Sequence, residues 1–360
     1  IMDLLVKMYN LPYSDVRLKN IEALLRVVKG PEWVRPHVKT HKMAEVSELM
    51  IKAGIYKFKC STIAEAEMLG MVSAPDVLLA FQPVGPKIGR LLSLSVLFPC
   101  TRYSCIVDNN ESAAAVSKVF AEAGRSIKVY LDLNVGMNRT GIKPGMAAFD
   151  LYNYCKGLPG LEPVGLHLYD GHLRDPDAVQ RKKESDFIFK AVHALAKGIE
   201  AAGNPRPNLI AGGSPTFLIH ARREGVECSP GTFVFWDWDY GTLLPEYPFV
   251  HAALVLTRVI SRIDEETLCL DLGHKSVAAE KPFPRVHFLN APDATPVSQS
   301  EEHLVVKVDP KKGYGIGDLF YGVPVHVCPT CALYEKALVV EKGRITQSWK
   351  VVARDRSITV

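Results

Sequence analysis

The 360-residue sequence contains no run of five charges of one sign, and its net charge is only +4. A charge this small and this evenly spread argues against a nucleic-acid partner, whereas small anionic molecules remain natural ligands. No window of about 18 apolar residues is present to cross a membrane, and the first residues lack the order of a signal peptide. We therefore expect a protein of the cytoplasm with no membrane or nucleic-acid partner.

The eight cysteines are too irregularly spaced in this long chain to form a disulfide framework, which predicts reduced thiols. Internal repeats and low-complexity segments are also absent from the sequence. What the chain does have is 48% hydrophobic residues, enough for the core of one large domain or of two domains.

The stretch 33–42, WVRPHVKTHK, gathers two lysines, two histidines and an arginine where an apolar run ends. Its β-prone residues and Pro36 predict a short strand that ends near Lys39, and helical spacing predicts a helix over 43–54. Lys39 would then stand at the C-terminal mouth of a strand, where α/β folds place their chemistry. The alternative is that Lys39 and Lys42 are solvated loop lysines.

The alternation of strand and helix continues through the first two thirds of the chain. The predicted strands are 33–39, 56–60, 77–81, 103–107, 127–133, 164–168, 209–211 and 226–228, and a helix capped by Ser14 precedes them. Eight short strands alternating with helices predict a parallel (β/α)8 barrel, with an open doubly wound sheet as the competing arrangement.

The pattern changes near residue 245. Beyond it, β-rich runs at 252–262, 267–272, 304–308, 323–328, 337–340 and 346–352 are separated by turn residues. We therefore predict a barrel domain over 12–245 and a mostly antiparallel β domain over 246–360, with residues 1–11 packed against the β domain.

Two glycine-rich turns follow neighbouring strands of the predicted barrel. One is AGGSPT after the seventh strand and the other is SPGT after the eighth, and their candidate phosphate-binding residues are Gly212, Gly213, Ser214, Thr216, Gly231 and Thr232. Free amides and hydroxyls at such a turn suit a phosphate group, and barrels commonly bind phosphate at adjacent strands. Either turn alone could be no more than a turn.

Two further side chains follow predicted strands. Arg139, in NVGMNRTG, comes after the fifth strand, and Tyr169 comes after the sixth. Pyridoxal 5′-phosphate (PLP) requires an amine for its aldehyde, an anchor for its phosphate and partners for its ring atoms. Lys39, the two glycine turns, Tyr169 and Arg139 match those needs.

The β domain contains the sequence HVCPTC, in which His326 and Cys328 would point to the same side of an extended segment. Two protein ligands leave positions open for water and substrate, as in a catalytic metal site. A thiolate with an imidazole favours zinc over manganese or magnesium. Cys331 lies past Pro329 and is expected to turn away. The alternative is that His326 and Cys328 are buried strand residues without a ligand.

Taken together, these motifs resemble the PLP enzymes of alanine-racemase-like fold, and within them the D-threonine aldolase and D-serine dehydratase group. RPHVKTHK at 35–42 is similar to the group's cofactor-lysine segment, which implies that Lys39, not Lys42, forms the Schiff base. GMNRTG at 136–141 resembles the segment whose arginine contacts the phenolate oxygen, here Arg139. Tyr169 falls where the group has a tyrosine at the pyridine nitrogen.

The remaining motifs extend this resemblance over nearly the whole chain. GGSPT and SPGT resemble the group's phosphate-binding turns, although the family more often has arginine before the first proline. HVCPT at 326–330 is similar to the metal motif that separates this group from plain racemases. The resemblance implies a homodimer with its active site at the barrel mouth.

The resemblance further implies a lyase that acts on β-hydroxy-D-amino acids. Retro-aldol cleavage would give glycine and an aldehyde, whereas β-elimination would give a keto acid and ammonia, and the sequence leaves both open. A racemase of the same fold, a non-catalytic PLP-binding protein and a metal-only barrel hydrolase are the alternatives.

Overall fold

The structure is a computed structural model that describes residues 3–7 and 19–360. The predicted helix cap Ser14 lies outside the described residues. Among those residues, no helix has both the length and the apolar character that a membrane span needs.

The described chain forms two compact units. One contains Leu24–Lys39, Ser47–Gly231 and Asp355–Val360, and the other contains the described residues up to Ala23 with Thr40–Val46 and Thr232–Arg354. The predicted domain boundary after residue 245 stays a prediction, because a compact unit need not be a domain that folds alone.

Strand β1 (Asp3–Lys7) and helix α1 (Lys19–Val27) come first in the chain. Seven parallel strands then pair in chain order: β2 (Lys57–Cys60), β3 (Asp76–Leu79), β4 (Arg102–Val107), β5 (Ile127–Leu133), β6 (Leu161–Leu168), β7 (Asn208–Ala211) and β8 (Val226–Cys228). The helices that alternate with them along the chain are α2 (Ala44–Lys52), α3 (Ile63–Met71), α4 (Pro86–Leu97), α5 (Asn110–Glu122), α6 (Met146–Gly157), α7 (Ala178–Ala201) and α8 (Phe217–His220).

The eighth position of the ring is filled by the segment 34–37, which bridges the two end strands of the sheet. Val34 forms an isolated parallel bridge with Cys228 on β8, and His37 forms one with Lys59 on β2. The sheet is therefore closed, which confirms the predicted (β/α)8 barrel and rules out the open sheet.

The predicted strand over 33–39 is wrong in its length. Pro36 has no amide hydrogen to extend a ladder, although its carbonyl accepts from the Lys59 amide at 2.8 Å. Beyond His37 the backbone turns into a 3₁₀ helix over Val38–Thr40. Lys39 consequently lies on a tight turn just after the segment 34–37, instead of at the end of a regular strand.

The second unit contains a nine-stranded sheet, in which β1 pairs parallel with β15 and all other pairs are antiparallel. This confirms the predicted C-terminal fold class. Its later strands are β9 (Ala253–Arg262), β10 (Thr267–Leu270), β11 (Val286–Phe288), β12 (Thr295–Gln299), β13 (Leu304–Lys307), β14 (Leu319–Pro324), β15 (Lys336–Glu341) and β16 (Arg344–Lys350).

Two short helices complete this unit, α9 (Trp238–Leu243) and α10 (Val327–Leu333). The predicted strand over 323–328 is therefore wrong beyond Pro324. Pro329 lies in the first turn of α10, where a missing amide hydrogen costs no hydrogen bond.

Candidate active site

Three of the predicted cofactor residues meet at the C-terminal ends of the barrel strands. The Lys39 Nζ lies 5.6 Å from the centre of the Tyr169 ring, and the Arg139 Cζ lies 5.2 Å from the same centre. Both cations therefore contact one aromatic ring, within the range of cation–π interactions. The Lys39 amide also donates to His37 Nδ1 at 3.2 Å, which fixes the turn that carries the lysine.

The loop 136–141, which carries the arginine, is held by two carboxylates. The Gly141 amide donates to Asp108 Oδ2 at 3.0 Å, and the Thr140 hydroxyl donates to Asp132 Oδ2 at 2.8 Å. Gly141 has φ +96°, and a Cβ there would lie 2.6 Å from a backbone nitrogen, so the loop requires glycine at this point.

The two glycine turns lie side by side at the ends of β7 and β8. The Ser229 amide donates to the Ala211 carbonyl at 3.2 Å. Gly212 has φ +77°, and a Cβ on Gly213 would lie 2.7 Å from the Tyr169 ring. The first turn therefore passes against the same ring as Lys39 and Arg139, at a distance that only glycine allows.

The hydroxyls near these turns differ in their hydrogen bonding. Thr216 Oγ1 donates to Asp170 at 2.6 Å, and Thr232 Oγ1 lies 3.7 Å from the Cys328 thiol. The Ser229 hydroxyl, in contrast, is buried and has no hydrogen-bond partner among the described residues. An unpartnered buried hydroxyl is costly, so Ser229 and the turn amides fit a group rich in acceptor oxygens such as phosphate.

A buried hydrogen-bonded chain that the sequence analysis missed runs from Asp132 through His167 to Lys59. His167 Nδ1 lies 2.7 Å from Asp132 Oδ1, and its Nε2 lies 3.5 Å from Lys59 Nζ. Burial, together with the charges of Lys59 and Arg139, lowers the pKa of His167 although Asp132 acts to raise it. The neutral imidazole therefore donates from Nδ1 to Asp132 and accepts at Nε2.

A second missed group ties the Tyr169 loop to the first glycine turn. The buried Asp170 carboxylate accepts from His220 Nε2 at 2.8 Å as well as from Thr216. Burial alone would raise the pKa of Asp170, but the charge and hydrogen bond of His220 bring it below its usual value. In the sequence, Asp170 directly follows the predicted cofactor residue Tyr169, and this position is the signal that could have indicated its place in the site.

The two predicted metal donors are adjacent, although not for the predicted reason. His326 precedes α10 in extended conformation, and Cys328 is the second residue of that helix. Burial opposes a charge on His326, but the Cys328 sulfur and the Glu280 carboxylate raise the pKa of His326 to about 9. Glu280 hydrogen-bonds His326 Nδ1, which leaves Nε2 as the nitrogen for a ligand.

The surroundings of this pair suit a metal ion with open positions. Thr40 Oγ1 lies 3.2 Å from the Cys328 sulfur. No cluster of three or more histidine, cysteine or acidic side chains suited to a metal occurs in the described part of the chain. Two protein donors fit a site completed by water and substrate better than a closed structural site. Cys331 is fully buried, and burial raises the pKa of its thiol, so it stays protonated.

A closed (β/α)8 barrel with a lysine, an arginine and a tyrosine at its strand ends, followed by a mostly antiparallel sheet, defines the alanine-racemase-like class. The family model described as "Alanine racemase, N-terminal domain" matches residues 17–237, and the chain belongs to this family. A second model, described as "Putative serine dehydratase domain", matches residues 252–340. The resemblance drawn from the motifs is thereby confirmed.

Two relatives are similar over most of the chain. A D-threonine aldolase of Arthrobacter sp. is 28% identical over 329 residues, which cover 89% of this chain and 85% of the relative. A 3-hydroxy-D-aspartate aldolase of Paracoccus denitrificans (strain Pd 1222) is 26% identical with the same coverage.

Two solved structures share the fold over more than nine tenths of the chain. The D-threonine aldolase from Filomicrobium marinum superposes with a TM-score of 0.89 at 25% identity, covering 98% of this chain and 95% of its own. The D-threo-3-hydroxyaspartate dehydratase from Delftia sp. HT23 gives a TM-score of 0.80 at 22% identity, covering 93% and 94%. At 22% identity, the similarity to the dehydratase shows a shared fold and nothing more.

Proposed function

We propose that this protein is a PLP- and metal-dependent lyase that acts on β-hydroxy-D-amino acids. The observation that carries the proposal is the meeting of Lys39, Arg139 and the Gly212–Gly213 turn around the Tyr169 ring. Both curated relatives described above are aldolases of β-hydroxy-D-amino acids, which supports the same substrate class.

The barrel residues divide the binding of PLP among them. Lys39 would hold the aldehyde carbon, Arg139 and Tyr169 the ring, and the two turns with Ser229 the phosphate. The remaining predicted phosphate residues, Ser214, Thr216, Gly231 and Thr232, stay part of this proposal through their backbone groups. When bound, PLP supplies a ring that accepts the electrons left at the substrate α-carbon.

His326 and Cys328 would hold a divalent metal, for which we propose zinc because thiolate is a soft ligand. When bound, the metal supplies a Lewis acid for the β-hydroxyl oxygen. Glu280 orients His326 for this role by accepting the hydrogen bond from Nδ1.

The two possible reactions differ in which proton the protein removes. Lys39 Nζ would take the α-proton in an elimination, and a keto acid with ammonia would result. A base would take the hydroxyl proton in a retro-aldol cleavage, and glycine with an aldehyde would result. The Cys328 thiolate favours zinc, which suits the departure of hydroxide and therefore the elimination. Both named relatives are aldolases, which supports the retro-aldol cleavage instead.

A product assay separates the branches. The purified protein is incubated with D-threonine, D-serine and 3-hydroxy-D-aspartate, and glycine, aldehyde, keto acid and ammonia are measured. Absence of glycine from every substrate removes the aldolase branch, and absence of keto acid removes the dehydratase branch. Racemisation that withstands a chelator, with neither product, would favour the racemase.

Attachment of the cofactor at Lys39 is tested by borohydride reduction and peptide mass mapping. We expect Lys39→Ala to lose the visible absorbance and the labelled peptide, because no other amine contacts the Tyr169 ring among the described residues. The control is Lys42→Asn, since Lys42 has φ +55°, which asparagine tolerates. Label on Lys42, or a colourless wild type, would contradict the proposal.

The proposal also includes a homodimer that resides in the cytoplasm. Light scattering of the purified protein tests the dimer, for which a mass equal to one chain is the contradicting result.

A further inference from the structure

Lys59 is a buried lysine whose amine forms no ion pair with a described carboxylate. Its side chain points from β2 into the barrel and is only 3% exposed. The buried Arg35 nearby forms ion pairs with Glu227 at 2.8 Å and Asp76 at 2.5 Å. Lys59 forms no ion pair with any described residue, and its hydrogen bond is with the neutral His167. A buried ammonium left in this way is unfavourable unless another anion comes near it.

The groups around Lys59 compensate a charge on its amine only in part, because burial and two nearby cations outweigh two carboxylates. The charged and titratable groups that face its amine are Lys39, Arg35, Asp132, His167 and Asp170. The two carboxylates already accept hydrogen bonds from His167 and His220. Burial, reinforced by the charge of Lys39, lowers the pKa of Lys59 to about 7. Without a ligand, the amine is therefore mostly neutral at pH 8.

His167 connects Lys59 with the surface that would receive the cofactor. Its ring lines a small recess together with Asp132, Arg139, Thr140 and Tyr169. The Lys59 Nζ lies 3.5 Å from Nε2 of His167, and Lys59 itself does not line the recess. Only the His167 imidazole need separate Lys59 from a group bound in the recess. A charge on Lys59 would therefore interact electrostatically with that group, in surroundings of low dielectric constant.

We propose that Lys59 is a positioning residue for PLP: its amine takes up a proton when the cofactor binds, and the resulting cation stabilises the anionic cofactor through His167. This inference rests on the proposed function. PLP brings a phosphate and a phenolate oxygen, and an anion near a buried amine favours its charged form. By linkage, the affinity for PLP and the affinity of Lys59 for its proton rise together.

Proton uptake on binding is the decisive measurement. The heat of PLP binding is measured at pH 8 in two buffers that differ in ionisation enthalpy, for the cofactor-free wild type and three variants. Lys59→Met removes charge and donor, Lys59→Gln keeps a donor without charge, and Lys128→Met is the control at a half-exposed lysine of β5.

We expect the wild type and Lys128→Met to take up close to one more proton per chain than either Lys59 variant. Both Lys59 variants should bind PLP about tenfold more weakly at pH 8, because they cannot couple binding to the uptake of this proton. A role in packing alone would leave proton uptake unchanged.

The wild type provides a second measurement that needs no variant. At pH 6 the amine already carries its proton, so uptake should be nearly one proton smaller than at pH 8. Equal uptake at both values of pH, equal uptake in wild type and variants, or wild-type behaviour of Lys59→Gln would each overturn the proposal. If PLP binds to all proteins with equal proton uptake, only this inference fails. If the wild type does not bind PLP, the proposed function fails with it.

Discussion

The two candidate metal donors are held by different kinds of contact. His326 is oriented by the Glu280 carboxylate, whereas the Cys328 sulfur lies beside the hydroxyls of Thr40 and Thr232. A histidine ligand whose second nitrogen bonds to a carboxylate is both more basic and fixed in orientation. Glu280 would therefore influence the proposed metal without touching it.

Substitution of Glu280 by glutamine tests this influence. We expect Glu280→Gln to bind zinc about tenfold more weakly, because the loss of an outer partner typically lowers affinity by 10 to 100 times. Competition with a chromogenic chelator measures the affinity, and Glu265→Gln, an exposed position of the same unit, is the control. Equal zinc affinity in the two variants would contradict the assigned role.

The side chains that sequence reasoning placed in the site are those with a motif around them. Lys39 and Arg139 stand in dense, polar segments after apolar runs, and the structure brings them to one ring. Lys59 and Asp132 lie inside strands, where the sequence pattern indicates that a single polar side chain faces solvent. Closure of the barrel turns those positions inward, and no local pattern contains that information.

At the scale of elements, the turn after β7 is shaped by the ring that it contacts. Gly213 has an extended backbone with φ −144°, which alanine adopts without strain. Its missing Cβ is what allows the Tyr169 ring to lie against the turn. A methyl group there would displace the ring and leave the path of the chain unchanged.

We expect Gly213→Ala to reduce PLP affinity about tenfold, since overpacking in a fitted site typically costs about 1–3 kcal/mol. Fluorescence titration of the cofactor-free protein measures the affinity. Gly198→Ala, in α7 where a Cβ meets open space, is the matched control and should bind PLP as the wild type does. Unchanged affinity in Gly213→Ala would show that Tyr169 does not contact the cofactor.

Sequence patterns located elements well where period and turn signals agreed. The bounds of β5 and β8 are those predicted, because each lies between clear turn residues at its expected place in the alternation of strand and helix. The segment 323–328 is β-prone throughout, which predicts one strand, yet Pro329 suits the first turn of a helix and α10 begins before it. Strand β11 is as short as β8, but no regular series of elements indicates its position, so the sequence does not predict it.

At the scale of the whole molecule, one buried histidine links stability to pH. His41 is fully buried, its Nδ1 accepts from the Met43 amide at 3.1 Å, and burial lowers its pKa to about 3. The unfolded chain binds a proton at this residue below pH 6.5, whereas the folded chain does not until about pH 3. His41 therefore stabilises the fold fully above pH 6.5, and that contribution declines as the pH falls towards 3.

We expect wild type to lose roughly 3 kcal/mol more than His41→Asn between pH 6.5 and pH 4, at about 1.4 kcal/mol per unit. Asparagine keeps an acceptor for the Met43 amide without a proton to gain. Urea unfolding at each pH gives the free energy of unfolding, and His303→Asn, at an exposed position, should follow the wild type. Parallel pH curves for wild type and His41→Asn would refute the assignment.

The closure of the barrel at 34–37 has a consequence for how the protein retains its cofactor. This segment is joined to β8 and to β2 by one isolated bridge each, whereas the seven strands pair with one another through ladders of several residues. Thermal opening of the ring should begin where interstrand bonds are fewest, and Lys39 follows that point by two residues. Deuterium would then enter the amides of Arg35, His37 and Lys59 together. The rate of that exchange would report how often the turn that carries Lys39 is released from the rest of the barrel.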